Sequence, residues 1–285
     1  MSLPDRYRIC THKHFIINCL QSSLKRLPPN SPKGLCLNRL GQLLVYAGGV
    51  TFGQSEFAIR CEWGLSGMRE LAPISDIVII VDVLSFTTAL EIATSRGAIV
   101  FPYPLKGEAA ASYATTVEAK LAAAGRQPGF SLSPASLQDL PTGYRLVLPS
   151  PNGAALSCAA GHPVVMAACL RNARAVARMA SRLGSTYALI PAGETWASGQ
   201  LRPDVEDLIG AGAVIACLPG TRSPEAELAV AGFERFREDL PGALRNSNSG
   251  KELIERGFAL DVSLAAEYDV SSAVPKLIDG AFVAS

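Results

Sequence analysis

The chain has 285 residues, of which 48% are hydrophobic and 18% charged, enough apolar material for one large or two small globular domains. Its formal net charge is +1, and no basic cluster interleaves with aromatic residues, so the composition argues against nucleic acid as a partner. No segment has the apolar length of a membrane span, and the first residues lack the pattern of a signal peptide. We therefore expect a cytoplasmic protein with no membrane partner.

The seven cysteines and three histidines form no recognisable site. The cysteines are scattered without C-x-x-C or Cys/His spacing, which is typical of reduced thiols rather than of a disulfide framework or a zinc site. His12 and His14 lie near the start of the chain, and His162 precedes Pro163, where a loop role is favoured. A histidine-based catalytic triad or metal site is therefore disfavoured.

Residues 1–54 differ in character from everything after them. They are rich in Lys, Arg, Asn and Pro and keep no helix or strand period. We expect an N-terminal extension outside the fold, either poorly ordered or the product of an over-long translation start. Residues 55–285 contain no linker and no exact repeat, and we expect them to form one domain.

From Glu56 onward, apolar segments alternate with helical patterns. In chain order, the patterns predict the following elements: strand 56–63, strand 77–83, a helix from Thr87 or Thr88 through Ser95 that Gly97 ends, strand 98–103, helix 108–124, a functional loop 125–141, strand 145–149 with a short helix, strand 164–168 with a helix to Leu183, and strand 187–192. This alternation predicts an α/β fold with three α/β/α layers and a mostly parallel central sheet.

The stretch DIVIIVDVLSFTTALE, residues 76–91, contains the most informative strand. The run from Ile77 to Val81 is continuously apolar and β-branched, as in a parallel strand buried on both faces. Asp82 ends that run, and a buried carboxylate costs several kcal/mol unless it is paired, hydrogen-bonded or bound to a metal. Thr88 and Glu91 form a T-x-x-E capping box, and the N-terminus of a helix attracts phosphate. The alternative is that Asp82 only caps the following turn.

Polar side chains also follow the later strands. Asn152, Asn172 and Glu194 each come within a few residues of the end of a predicted strand. Open α/β sheets bind ligands at the carboxyl ends of their strands, so we expect these side chains to gather with Asp82 at one rim of the sheet.

Residues 201–218 predict a helix with Pro203 in its first turn and three acids near its positive end. We interpret Asp204 as a solvated N-terminal acid. Glu206 and Asp207 are adjacent, so they diverge by roughly 100° around a helix and only one can face the rim squarely. One of the two is therefore expected to be structural.

Two further features lie near the C-terminus. Ser249 to Glu252 form a second capping box, which predicts a helix that ends at Gly257. Asp261 follows two apolar residues, and it is either another rim carboxylate or the N-cap of a helix over 262–267.

The common cofactor signatures are missing, because the chain has no G-x-G-x-x-G after a strand, no G-x-x-x-x-G-K-[ST] and no G-x-S-x-G. What remains is a set of carboxylates, hydroxyls, amides and an arginine. Oxygen ligands without His or Cys suit Mg²⁺, which takes one or two carboxylates plus a substrate phosphate. The residues therefore indicate metal-assisted phosphate chemistry on a small anionic phosphorylated substrate, with helix N–H groups near Thr87 and Asn152 cradling the phosphoryl oxygens.

Five segments in register also resemble the 2-phosphosulfolactate phosphatase (ComB) family: VDVLSFTTAL, LPSPNGAAL, ACLRNARAVA, PAGETWASGQLRPDVEDLIGAGAVI and GFALDVSLAAEYDVSSAVP. The similarity runs from about Glu56 to the C-terminus. It implies a Mg²⁺-dependent acid phosphatase that hydrolyses 2-phospho-3-sulfolactate to 3-sulfolactate and phosphate, a step toward coenzyme M. The family positions carried over are Asp82, Asn152, Gly153, Asn172, Glu206, Asp207 and Asp261.

Together the residues and the resemblance predict one site. Catalysis is assigned to Asp82, Glu194 and Arg202, substrate phosphate binding to Ser85, Thr87, Thr88, Asn152, Gly153 and Asn172, and Mg²⁺ binding to Asp82, Glu206 and Asp207. The sequence leaves open whether Asp82 is a metal ligand or a nucleophile.

The chain departs from the family pattern in its anion-binding residues. The family has Arg-Ala-Thr-Thr after V-D-V-L, whereas this chain has Ser85 at the arginine position, and Pro151 replaces a threonine before Asn-Gly. The family's Gly-Glu-Arg loop is reduced to GRQPGFSLSPASL, in which Arg126 is one remaining cation. Two alternatives therefore stay open: a phosphatase for another small phosphate monoester, or a non-catalytic metabolite-binding protein. A homo-oligomer is also compatible with the sequence.

Overall fold

The computed structural model describes residues 34–37, 43–46, 52–124, 129–161 and 164–285. The chain divides into two compact units, Met1–Phe52 and Gly53–Ser285. In the first unit, the described residues are two antiparallel strands, β1 (Gly34–Leu37) and β2 (Leu43–Tyr46), which the sequence pattern did not predict. The rest of the predicted extension 1–54 up to residue 51 lies outside the described residues.

The second unit alternates strands with helices. Its strands are β3 (Ile59–Cys61), β4 (Ile77–Val81), β5 (Ile99–Tyr103), β6 (Lys120–Leu121), β7 (Arg145–Pro149), β8 (Val165–Ala168), β9 (Tyr187–Pro191), β10 (Glu194–Thr195), β11 (Leu201–Arg202), β12 (Pro275–Ile278) and β13 (Ala281–Ala284). Its helices are α1 (Gly64–Leu71), α2 (Phe86–Ser95), α3 (Glu108–Thr116), α4 (Gly153–Ala159), α5 (Ala173–Leu183), α6 (Val205–Ile215), α7 (Pro224–Phe236), α8 (Leu240–Asn246), α9 (Asn248–Glu255) and α10 (Ala259–Ala265).

Nine of these strands form the central sheet in the order β3-β9-β4-β8-β12-β13-β5-β7-β6. The pairs on either side of the β12–β13 hairpin are parallel, and helices cover both faces, so the predicted three-layer α/β/α fold is confirmed. All five residues of β4 are buried. Ile77, Ile79 and Val81 belong to the core on one face, and Val78 and Ile80 belong to the core on the other. This two-sided burial is why β4 carries no polar alternation.

The β12–β13 hairpin joins two parallel half-sheets, and the sequence analysis missed it. Lys276 pairs with Met166 in β8, and Phe282 pairs with Val100 in β5, both antiparallel. Met166 and Val100 are each the second residue of a strand, so these pairings lie near the amino-terminal ends of the half-sheets. The hairpin thus connects the half-sheets at the end opposite the rim where the site was expected.

Two predicted helix boundaries were wrong. Helix α3 ends at Thr116 instead of residue 124, since Glu118 has a positive φ and the chain continues into β6. Helix α9 is capped by Ser247, whose hydroxyl accepts the N–H of Gly250, instead of by Ser249.

The two remaining cap predictions are also wrong. Helix α2 begins at Phe86, and Glu91, assigned to its capping box, instead pairs with Arg171. Asp261 lies inside the first turn of α10, so it is not the N-cap of a later helix.

Candidate active site

A cleft of about 220 Å³ opens at the carboxyl ends of the parallel strands. Its walls come from the loops after β4, β5, β7 and β9, from β6, and from helix α9. The side chains that matter below are Asp82, Ser85, Lys106, Asn152, Glu194, Ser249, Glu252 and Arg256. The volume suits a small molecule.

Asp82 lies at the floor of the cleft and is only 6% exposed. Its Oδ1 accepts the N–H of Phe86 at 3.2 Å, and its Oδ2 accepts the N–H of Gly153 at 2.9 Å. These are the first residues of α2 and α4, so the positive ends of two helices converge on one carboxylate. A Cβ on Gly153 would lie 2.3 Å from the Phe86 ring and 2.7 Å from Asp82 Oδ2, so this contact requires glycine.

The hydroxyls of Thr87 and Thr88 hold the turn after β4. Both residues are fully buried. Thr87 Oγ1 accepts the N–H of Asp82 at 3.0 Å and donates to the carbonyl of Asp82 at 2.8 Å, while Thr88 Oγ1 donates to the carbonyl of Val83 at 2.8 Å. Neither threonine lines the cleft, whereas Ser85 does. The structure therefore places Ser85 with Asp82 at the cleft, whereas the two threonines stabilise the turn from behind it.

Asn152 and Glu194 line the cleft side by side. Asn152 Nδ2 donates to Glu194 Oε1 at 3.0 Å, and the same oxygen accepts the N–H of Thr195 at 2.8 Å. Glu194 Oε2 makes no hydrogen bond within the described part of the chain. The pair is thus fixed on one side and has an acceptor oxygen left over.

Asp207 braces two loops of the rim. Its Oδ1 accepts the N–H of Val83 at 2.7 Å and its Oδ2 accepts the N–H of Gly193 at 2.9 Å. The neighbouring Glu206 is 2% exposed and makes no hydrogen bond with any described residue. Of the two adjacent acids, Asp207 therefore holds the backbone, and Glu206 keeps its oxygens free of described hydrogen bonds, in line with their divergence around the helix.

Asp204 was predicted to be solvated, and that prediction was wrong. It is the N-cap residue of α6 and only 7% exposed. Its Oδ1 lies 2.7 Å from Arg202 Nη1, yet this oxygen makes no hydrogen bond with a residue that the structure describes. Arg202 also donates to Ser249 Oγ at 3.1 Å and stacks over Trp196, so it ties β11 to α9.

Burial, together with neighbouring negative charges, raises the pKa of three acids at the site: Asp82, Asp204 and Asp207. Burial is the largest cause at Asp82, where the charges of Glu194 and Glu206 add to it and bring the pKa to about 6 against the two N–H donors. Burial and then the charge of Glu206 raise the pKa of Asp204 to about 7, although Arg202 opposes this. Burial and the charge of Asp82 raise the pKa of Asp207 well above its ordinary value. Such a surplus of negative charge favours a cation at the site.

The carboxylate oxygens at the site suit Mg²⁺ in their chemistry, but they are too few to fill its coordination shell. Asp204 Oδ1 is paired with Arg202 Nη1 at 2.7 Å, but Asp82 keeps lone pairs beyond its two N–H bonds, and Glu206 makes no hydrogen bond with any described residue. Hard divalent cations bind such oxygens. Across the described residues, however, no group of three or more acidic, cysteine or histidine side chains is placed to hold a metal ion. The set suits an ion that completes its shell with substrate and water.

Two predicted residues serve the scaffold instead of the cleft. Asn172 is fully buried; its Oδ1 accepts the N–H of Cys169 and its Nδ2 donates to the carbonyl of Ala273. Asp261 Oδ1 accepts from Ser133 Oγ at 2.6 Å and from the N–H of Ala135 at 3.0 Å, which attaches the loop before β7 to α10. Arg126 and the rest of 125–128 lie outside the described residues.

Comparison with known proteins identifies the family. The family model described as 2-phosphosulpholactate phosphatase matches residues 67–280. The chain belongs to the 2-phosphosulfolactate phosphatase family. A probable 2-phosphosulfolactate phosphatase of Carboxydothermus hydrogenoformans is 32% identical over 212 residues, covering 70% of this chain and 85% of that protein. A second protein of the same name, from Gloeobacter violaceus, is 29% identical over 212 residues, covering 70% of this chain and 88% of that protein.

Membership of the 2-phosphosulfolactate phosphatase family confirms the predicted family and the predicted enzyme class, a phosphoric monoester hydrolase. The matched region begins in α1 and ends at the turn between β12 and β13, so it contains every cleft residue named above. Within the described ranges, no helix combines the length and the apolar character that crossing a membrane requires.

Sequence reasoning missed the cleft residues Lys106, Ser249 and Arg256 and the buried state of Asp204. Local sequence does not distinguish Lys106 or Arg256 from other surface cations. The burial of Asp204 could have been suspected from its position two residues after Arg202. A residue in a strand and the helix N-cap that follows it can place their side chains together, as the Arg202–Asp204 pair does.

Proposed function

We propose that this phosphatase is Mg²⁺-dependent and hydrolyses 2-phospho-3-sulfolactate to 3-sulfolactate and phosphate, a step toward coenzyme M. The observation that supports this most directly is the position of Asp82. Its carboxylate lies at the cleft floor between the N-termini of α2 and α4, beside the buried acids of α6. Helix N-termini and a carboxylate-held cation are both suited to a phosphoryl group.

Asp82 is a proposed ligand of the ion because it lines the cleft, and Glu206 is the second because it makes no hydrogen bond with any described residue. Asp207 does not line the cleft, and both of its oxygens accept backbone N–H groups. When bound, Mg²⁺ would polarise a phosphoryl oxygen and neutralise its charge. Asp207 instead fixes the chain on both sides of that position by holding Val83 and Gly193. Arg202 keeps Asp204 and α9 in place rather than contacting substrate.

Glu194 is proposed to accept a proton from the attacking water, and Asn152 is proposed to hold Glu194 in position. Asn152 fixes Glu194 through Oε1, which leaves Oε2 to accept a proton. The water oxygen attacks phosphorus, its proton passes to Glu194, the bond from phosphorus to the substrate's hydroxyl oxygen breaks, and that oxygen is protonated by solvent. Attack by Asp82 itself is the competing route, and a covalent phosphoenzyme trapped by rapid acid quench would establish it.

The test is phosphate release from 2-phospho-3-sulfolactate by metal-free protein to which Mg²⁺ is added back. We expect release to depend on Mg²⁺, to saturate with it, and to be restored after chelation. Turnover that is unchanged after chelation would contradict the metal assignment, and no turnover with Mg²⁺ present would contradict the proposed reaction.

A second candidate keeps the chemistry and changes the substrate. Ser85 lines the cleft at the position where the family has arginine, so a cation expected beside the substrate is replaced by a neutral hydroxyl. Another small phosphate monoester would be favoured if it had a higher kcat/KM than 2-phospho-3-sulfolactate in a side-by-side panel. The cytoplasmic location and homo-oligomer expected from the sequence stay predictions.

A further inference from the structure

The cleft has two chemically different ends. The half-sheet that contains β4 and β9 contributes the acids Asp82 and Glu194, which line the cleft. The half-sheet that contains β5, β6 and β7 contributes the opposite wall, which includes Lys106 and the segment 121–124. The two half-sheets are joined by the β12–β13 hairpin near their amino-terminal ends, so the cleft lies between them at the rim.

Among the described residues that line the cleft, the cations are Lys106 and Arg256. Arg256 already pairs with Glu252, its neighbour one turn earlier in α9, at 2.9 Å. Lys106 is exposed and makes no hydrogen bond or ion pair with any described residue. Of these two cations, only Lys106 can therefore meet an incoming anion without first giving up a described protein partner.

The backbone beside Lys106 adds positive potential. Gly107 precedes α3 with φ of 72° and cannot cap the helix through a side chain. The free N–H groups of the first turn of α3 point toward the N-terminal end of the helix, and Lys106 directly precedes the N-cap residue Gly107. Glu108 moderates this field from the first turn, so the helix end supports Lys106 but would not bind an anion by itself.

The proposed substrate needs such a cation. A phosphate monoester that also carries carboxylate and sulfonate is strongly anionic, and the acids around Asp82 repel the part that is not neutralised by a metal. We propose that Lys106 binds a second anionic group of the substrate, and so selects phosphate monoesters that carry a carboxylate or sulfonate beside the phosphate. This proposal rests on the proposed function, and it gives Lys106 the role that Ser85 cannot fill.

The experiment uses three substrates that lose one anionic group at a time: 2-phospho-3-sulfolactate, 2-phospholactate and isopropyl phosphate. We expect Lys106→Met to raise KM for 2-phospho-3-sulfolactate up to roughly five-fold with little change in kcat, because an exposed ion pair contributes up to about 1 kcal/mol. KM for isopropyl phosphate should change less than about two-fold, since it has no second anion. Lys106→Arg should retain most of the wild-type KM.

The matched control is Lys120→Met, which removes an exposed lysine at the start of β6 that does not line the cleft. All three KM values should stay at wild-type level in this variant. Equal KM increases for all three substrates in Lys106→Met would show that Lys106 contacts the phosphoryl group, and unchanged values would show that it contacts nothing. Either result overturns the proposal.

A binding measurement separates this proposal from the proposed function. 3-Sulfolactate carries both secondary anions and no phosphate, so its dissociation constant does not depend on turnover. We expect Lys106→Met to weaken its binding up to roughly five-fold, whereas Lys120→Met should not. No turnover by the wild type would contradict only the proposed reaction. Equal binding of 3-sulfolactate to wild type and Lys106→Met, or no saturable binding to the wild type, would overturn the assignment of Lys106.

Discussion

The carboxylate of Asp82 accepts the backbone N–H of Gly153 at 2.9 Å, across 71 positions of the chain. This bond joins the end of β4 in one half-sheet to the first turn of α4, which follows β7 in the other. This hydrogen bond therefore links the two half-sheets at the floor of the cleft, and it requires a residue without a side chain at position 153.

Gly153→Ala should abolish most phosphatase activity, because the added methyl group would overlap the Phe86 ring and Asp82 Oδ2. We expect a loss of stability of about 1–3 kcal/mol, typical of overpacking, measured by urea denaturation. Gly232→Ala in α7 is the matched control. Its Cβ would have ordinary contact with Leu208 at 3.8 Å, so it should be neutral or slightly stabilising and leave kcat unchanged. Equal activity in the two variants would contradict the role of this contact.

Asp207→Asn should destabilise the protein by about 2–4 kcal/mol, since an amide can accept only one of the two buried N–H bonds and its NH₂ would face the other donor. The control is Asp239→Asn, because Asp239 is an exposed N-cap of α8 and asparagine caps a helix equally well. Chemical denaturation measures both. A near-neutral Asp207→Asn would mean that the two rim loops do not depend on this carboxylate.

Arg171 pairs with the fully buried Glu91 and with Glu267. Arg171→Met should cost about 3–5 kcal/mol, because it leaves the Glu91 carboxylate buried without its cation. The double variant Glu91→Met with Arg171→Met should recover part of that loss. Arg174→Met removes a pair with Asp269 from a side chain that is 58% exposed, so it should destabilise the protein far less than Arg171→Met does. A double variant no more stable than Arg171→Met alone would contradict this reasoning.

Asp76 makes stability depend on pH. The N–H groups of Ser185 and Thr186 lower its pKa to about 2. The Asp76 carboxyl group therefore binds a proton less tightly in the folded protein than in the unfolded chain, where its pKa has the ordinary value of 3.8. The stabilisation is thus fully present above pH 4 and is lost as pH falls through about 2.

The difference in unfolding free energy between wild type and Asp76→Asn should be constant from pH 7 to 5 and shrink toward pH 2. Because Asp76 is solvent-exposed, we expect its size to be about 1 kcal/mol or less. Urea titrations at pH 7, 5 and 3 measure it, and a difference that grows as pH falls would contradict the assigned direction.

The sequence predicted the parts of the fold that depend on continuous local patterns. The β-branched run before Asp82 is buried on both faces, so its composition alone identifies a central strand. The rim position of Asp82, Asn152 and Glu194 followed from the rule that ligands bind at the carboxyl ends of parallel strands.

The rest depends on contacts between distant residues. A capping box could not reveal that Glu91 is paired with Arg171, 80 positions away. The β12–β13 hairpin has four-residue strands, too short for a reliable period, and its place in the sheet is set by one pair to each neighbour. Asp204 looked like a solvated helix acid because its burial comes from packing around α6 and its pairing with Arg202.

The central claim is that the carboxylate of Asp82 takes part in phosphate hydrolysis, and a pair of matched aspartates at opposite ends of β4 tests it most directly. Asp82→Asn removes the acid at the carboxyl end, and Asp76→Asn removes the acid that precedes the strand. The measurement is kcat for Mg²⁺-dependent phosphate release from 2-phospho-3-sulfolactate, with folding of both variants checked by thermal melting. We predict a loss of roughly a hundred-fold or more in Asp82→Asn, as for loss of a transition-state contact, and wild-type kcat in Asp76→Asn. A folded Asp82→Asn protein with near-wild-type kcat would contradict the account.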